Sequence, residues 1–160
     1  MEHLKRNAAG VWQFDPYFAY LASVRDRVPE HVYAFASDWA HYALDSPRSL
    51  HDSWIEELSV REHAAGPPSG GRQTEITLRF LGPMHDRIQV LRYSDVQSYR
   101  VTADETAGGH GDLLVHELRL DEHGTLVHEL LFASGAAIVV QFADLVYEDH
   151  LNPSVKQGTA

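Results

Sequence analysis

The chain contains no cysteine, which removes disulfides, thiolate metal centres and cysteine nucleophiles together and fits a reducing compartment. Basic charge is also scarce: 13 Lys and Arg stand against 23 Asp and Glu, a formal charge of −10. A nucleic-acid binder needs a basic footprint to displace counterions from phosphates, so that class is excluded. Long apolar runs are missing. The opening MEHLKRNAAGVWQF has no apolar core of signal-peptide length, and the run from Ala136 to Val140 is far too short to span a bilayer. The Gly/Pro stretch GPPSGG at 66–71 lacks the Lys-Ser/Thr of a phosphate-cradling loop and opens no helix. These absences predict a soluble cytoplasmic protein with no nucleic-acid partner, no membrane segment and no cofactor motif. Nothing in the sequence sets its oligomeric state.

What remains is a globular composition, 44% hydrophobic and 10% aromatic over 160 residues, the length of one domain. Residues 1–13 read as a loosely held lead-in. Over 14–46 the period is helical. Asp15 can cap and Pro16 suits the first helical position, with Phe18, Leu21, Ala22 and Val24 on one face. A second helix restarts at Pro29-Glu30 with Val32, Phe35, Ala36 and Trp39 on its face, and ends at Asp38 or near Tyr42. From 50 to 148 the period becomes alternating. Strands are expected at Trp54–Val60, Thr74–Phe80, Ile88–Tyr93, Asp112–Leu120, Thr125–Phe132 and Ala137–Phe142, joined by Gly- and Pro-containing turns and one long Pro/Gly loop at 66–71. Residues 149–160 form a tail.

The strand region repeats itself. DSWIEELSVRE (52–62) aligns with DLLVHELRLDE (112–122) at an offset of sixty, matching Asp52 to Asp112 and Glu57 to Glu117. VLRYSDV (90–96) resembles VVQFADL (139–145). The fold class expected is α+β: two N-terminal helices packed on one face of an antiparallel sheet of about six strands, read as two copies of a three-strand meander.

Histidine is the over-represented residue, with eleven copies. The tetrapeptide VHEL occurs twice, placing His116-Glu117 and His128-Glu129 on adjacent strands. A four-residue loop would set His116 opposite Glu129 and Glu117 opposite His128. A two-residue turn would set Arg119 opposite His128. Neither register gathers both histidines and both glutamates on one face, which argues against a four-ligand metal centre from this hairpin. His-Asp pairs recur at His51-Asp52 and His85-Asp86, each at a strand entrance. His51, Asp52, His85, Asp86, His116 and His128 are therefore the candidate ligands of a metal-dependent hydrolase, the rival reading, or the polar groups of a small-ligand-binding regulatory domain.

The run SLHDSWIEEL, followed by TEITLRFLG and HDRIQVLRYSDVQSY, resembles a theme of small bacterial α+β proteins in which an LHDSW-type turn launches the first of several amphipathic strands. Some of these resemble immunity proteins of polymorphic toxin systems. The resemblance covers about residues 49–100 and, through the repeat, 111–148. It brings no catalytic residue. It implies a non-catalytic protein that offers an acidic surface to a basic partner such as a cognate toxin. The surface expected for that contact comprises His51, Asp52, Trp54, Glu56 and Glu57, with His116 and Glu117 as repeat counterparts.

Overall fold

The structure is a computed structural model that describes residues 1–64, 66, 70–103 and 108–154. Residues 67–69 of the Pro/Gly loop and 155–160 of the expected tail lie outside the described residues.

Helix α1 spans Asp15–Val24. Pro16 lies in its first turn as expected, but Asp15 is already helical; the N-cap position is Phe14, which makes no side-chain cap. The buried stripe is Tyr17, Leu21 and Val24, displaced by one residue from the Phe18 end of the expected face. A 3-10 turn at Arg25–Arg27 leads to α2, Glu30–Ser37, which buries Val32, Phe35 and Ala36. Asp38 ends α2 with extended backbone, and its carboxylate accepts the Ala40 N–H to start a second 3-10 turn, Trp39–His41. That break takes Trp39 off the helical face and leaves it 53% exposed.

Strands β1 (Lys5–Arg6) and β2 (Trp12–Gln13) pair in a small N-terminal hairpin. The rest of the chain supplies β3 (Trp54–Ala64), β4 (Arg72–Leu81), β5 (Arg87–Ser94), β6 (Ser98–Thr102), β7 (Leu113–Leu120), β8 (Leu126–Phe132), β9 (Ala137–Phe142) and β10 (Asp144–Leu151). The expected single sheet of about six strands is replaced by two four-stranded antiparallel sheets, ordered β10-β5-β4-β3 and β6-β9-β8-β7. Each half of the chain makes a three-strand meander and then sends its fourth strand to the other half's sheet.

Exchanging the two halves leaves this topology unchanged. The first strand of each meander carries a bulge at the same place, between Ile55 and Glu57 and between Leu113 and Val115. A lone bridge between Trp54 and Asp112, 58 residues apart, joins the halves. The structural spacing is therefore 58, not sixty. Because side chains alternate with a period of two, a two-residue error preserves the face and hides itself in a sequence alignment. Its effect on the pairing is nonetheless real: Leu58 corresponds to His116, Ile76 to His128, and Glu57 to Val115 instead of Glu117.

The inner faces of the two sheets pack on each other. Ile76, Leu78 and Phe80 of β4 and Leu91 and Tyr93 of β5 share one core with Leu130, Phe132, Ile138, Val140 and Phe142. The helices do not blanket a sheet face; they close one side of this sandwich. Phe35 of α2 sits between His116 of β7 and Tyr147 of β10, at ring distances of 5.8 and 5.1 Å. From α1, the buried Tyr17 hydroxyl donates to the Leu118 carbonyl at 3.2 Å and accepts the Leu118 N–H at 2.9 Å. The lead-in is held firmly, since Leu4 is 1% exposed and part of the core. Among the described residues no helix is long and apolar enough to cross a membrane.

Candidate functional site

The β7–β8 hairpin adopts neither of the two expected registers. Asp121 and Thr125 close a three-residue loop, with the Asp121 N–H donating to the Thr125 carbonyl at 2.9 Å. The Asp121 carboxylate accepts the N–H groups of His123 and Thr125, and Gly124 takes a φ of 83°. Only glycine adopts that left-handed backbone without cost, so Gly124→Ala should destabilise the protein by about 1 kcal/mol in equilibrium unfolding. The resulting register sets Glu117 opposite Glu129, Leu118 opposite His128 and His116 opposite Leu130. The cross-strand His-Glu pairs expected from the sequence do not form. Histidine meets histidine on the inner face, and glutamate meets glutamate on the other.

On the inner face, His116 Nδ1 lies 3.0 Å from His128 Nε2, and His128 Nδ1 lies 2.8 Å from the Tyr93 hydroxyl. All three side chains are buried. Among the described residues the Tyr93 hydroxyl has no other hydrogen-bond partner, so its proton goes to His128 Nδ1. His128 then donates from Nε2 to His116 Nδ1, and His116 is left protonated on Nε2. Among the described residues that buried Nε2 has no hydrogen-bond partner of good geometry, although the His41 backbone acts on the ring. Burial pushes the His128 imidazole down to about 3. Burial, with the neighbouring His128 adding to it, holds His116 well below the usual histidine range. Burial likewise holds the Tyr93 phenol well above its ordinary value. The row is neutral.

His41 continues the cluster on the helical side. Its Nδ1–H donates to the Phe35 carbonyl at 2.9 Å, and its Nε2 accepts from Arg48 at 3.2 Å. Arg48 is fixed in turn by Asp38 at 2.8 Å. Desolvation lowers the His41 value too, against the opposing pull of the Phe35 carbonyl and Asp38. Sequence reasoning singled out neither His41 nor Tyr93. Tyr93 lies between Arg92 and Ser94 on a strand of mixed polarity, and His41 in a short turn, so neither stands out.

Glu117, placed on the expected contact surface with His116, is wholly buried. Its carboxylate accepts the backbone N–H groups of Glu2, His3 and Leu4 at 2.7, 2.9 and 2.6 Å. Arg119 separates it from Glu129, lying 3.9 Å from the first and 3.7 Å from the second, and bonds Glu2 at 2.9 Å. Glu117 is an internal anchor, and both residues leave the candidate surface because their edge strand is covered, His116 by Phe35 and Tyr42 and Glu117 by residues 2–4.

The remaining candidates gather where the halves meet. Asp52 turns the chain into β3 with φ 61°, and His85 turns it between β4 and β5 with φ 57°. His51 donates from Nδ1 to the Leu114 carbonyl at 2.7 Å, and its Nε2 lies 3.3 Å from Asp52. His85 packs edge-on against Trp54 at 4.6 Å, while Asp86 lies toward Arg87 at 3.9 Å. Among the described residues no three His, Asp or Glu side chains converge closely enough to hold a metal ion. His116 and His128 meet each other, and His51-Asp52 and His85-Asp86 serve as turns.

Trp54 stands at the centre of this junction, 49% exposed. Its indole N–H donates to Asp112 at 2.6 Å, and the His85 ring supports it from the side. Asp52, Glu56 and Glu57 are exposed around it, with Glu56 paired to Arg79 at 2.9 Å. Comparison with family models, with curated proteins and with solved structures returns no match. The assignment of a function therefore rests on this geometry and on the charge of the chain.

Proposed function

We propose that this chain is a non-catalytic binding protein whose working surface is Trp54 in its ring of carboxylates, presented to a basic protein partner. The observation that supports this most is the state of Trp54: half exposed, yet locked by Asp112 and His85. A large aromatic side chain held in place before association loses little conformational freedom on binding, which is the property of interface anchors. Asp52, Glu56 and Glu57, in a chain of charge −10, add attraction for a basic surface and speed the encounter. The resemblance to immunity-like proteins favours a toxin enzyme with a basic cleft as that partner. The absence of cysteine suits a cytoplasmic setting.

The test is binding to the protein encoded beside this gene. Wild-type protein should form a complex whose association slows as salt rises. Trp54→Ala should weaken the complex about 100-fold while leaving the unfolding free energy within about 1 kcal/mol, because the ring is half in solvent. Replacing Glu56 and Glu57 with Gln should lower the association rate and flatten its salt dependence. A neighbour-encoded protein that does not bind, or a complex indifferent to Trp54→Ala, overturns the proposal.

A further inference from the structure

A cavity of about 370 Å³ opens on the side of the molecule closed by the helices, between the β1–β2 hairpin, the Trp39–His41 turn and the start of β7. Its walls are Trp12, Phe14, Trp39, Tyr42 and Leu114 with His41 and His51, and among the described residues no Asp, Glu, Lys or Arg lines it. Leu44 stands at the rim, 73% exposed. His116 belongs to its lining, its ring stacked flat on Tyr42 at 4.4 Å and 11°. The inner row of imidazoles therefore begins at the cavity: His116, then His128, then Tyr93.

The other half does without imidazoles at the topologically equivalent positions, which hold Ile76, buried, and Leu58, 36% exposed where no helix covers it. Burying polar rings where aliphatic ones fit costs stability unless every polar atom is paired. Here one atom is not: His116 Nε2, at the end of the row beside the His41 backbone, has no hydrogen-bond partner of good geometry among the described residues. His41 and His51 already have partners for their ring nitrogens. His116 therefore brings the unpaired donor beside this aromatic-walled cavity, the arrangement of a ligand site in which apolar walls supply affinity and a polar group fixes orientation.

We propose that this cavity binds a flat, uncharged, ring-containing small molecule whose hydroxyl or carbonyl oxygen accepts the His116 Nε2 hydrogen bond. The walls select a planar apolar body. The lack of a lining Lys or Arg among the described residues disfavours carboxylates and phosphates, which would enter without a permanent counter-charge. The oxygen completes the chain of hydrogen bonds that Tyr93 begins. This site is separate from the Trp54 surface and stands or falls independently of it.

Calorimetric titration with naphthol, naphthalene and naphthoate tests the proposal. Naphthol should bind saturably at one site per chain, with naphthalene and naphthoate each about tenfold weaker or more. His116→Leu, which installs the residue type of the equivalent Leu58, should bring naphthol down to the naphthalene level. Leu44→Glu changes only an exposed rim residue and should weaken naphthol and naphthalene together. The proposal is overturned if no probe saturates the wild-type protein, if Leu44→Glu leaves binding intact, or if folded His116→Leu still prefers naphthol. Should His116→Leu not fold, the Leu44→Glu result decides alone.

Discussion

Lowering the pH from 7.5 to 5 should cost this protein about 4 kcal/mol of unfolding free energy through His116 and His128 alone. Both imidazoles are wholly buried and neutral, His128 pushed down to about 3 and His116 well below its ordinary value. In the unfolded chain the same groups take up protons below about pH 6.5. The folded state cannot follow until far lower pH, so protons bind preferentially to the unfolded state throughout that window. Each histidine then removes about 1.4 kcal/mol per pH unit once the pH is well below 6.5. The stabilisation is full above pH 7, declines through pH 6 and 5, and levels off only near the folded values. Against a total of about 5–15 kcal/mol for an ordinary domain, a loss of this size is enough to approach acid unfolding under mild conditions. Urea unfolding at a series of pH values measures it directly. The double variant His116→Leu, His128→Ile copies the apolar residues of the other half and should flatten most of the slope. A wild-type protein equally stable at pH 7.5 and 5 would show that the imidazoles are not held neutral.

The second large effect concerns two glutamates that look alike in the sequence. Glu117→Ala should destabilise the protein by about 3 kcal/mol, while Glu57→Ala should change stability by less than about 0.5 kcal/mol. Glu117 is fully buried and ties down three successive N–H groups, those of Glu2, His3 and Leu4. Removing its carboxylate deletes three charge-assisted hydrogen bonds and frees the segment that seats Leu4 in the core. Glu57 is exposed on β3. Amide exchange at residues 2–4 should accelerate in the Glu117 variant and stay unchanged in the other. Equal destabilisation by the two substitutions would refute the anchor role.

Much of the architecture was legible because burial follows periodicity. The alternation of Ile76, Leu78 and Phe80, and the helical spacing of Val32, Phe35 and Ala36, put those residues in the core as expected. Strands β6 and β10 were not legible. SYRVT is exposed at every position, and DLVYEDHL carries charge through its length, so neither shows the contrast between faces on which reading depends. They exist because a partner strand supplies hydrogen bonds. The hairpin differs from both expected registers by a single residue: Asp121 and Gly124 build a three-residue loop, between the two- and four-residue alternatives. One residue of register turned the His-Glu pairs into a His-His row and a Glu-Glu pair. The burial of Glu117 was equally invisible, since its partners are backbone N–H groups more than a hundred residues away. Trp54, Asp52, Glu56 and Glu57 were legible as surface because they flank a turn at the start of an edge strand.

The exchange of fourth strands means that neither half of the β region can be completed by itself. A segment holding only β3 to β6 would leave β5 without its β10 neighbour and β6 without β9. Two copies of such a segment would satisfy each other about a two-fold axis, so the intact chain is in effect an intramolecular dimer with its protomers joined head to tail. The N-terminal helices occur once and break that equivalence. They put Phe35 over one side, while the corresponding side leaves Leu58, Val60, Tyr99 and Val101 partly open to solvent. Everything specific to one half, including the imidazole row, the buried anchor and the cavity, lies on the side where the symmetry is broken.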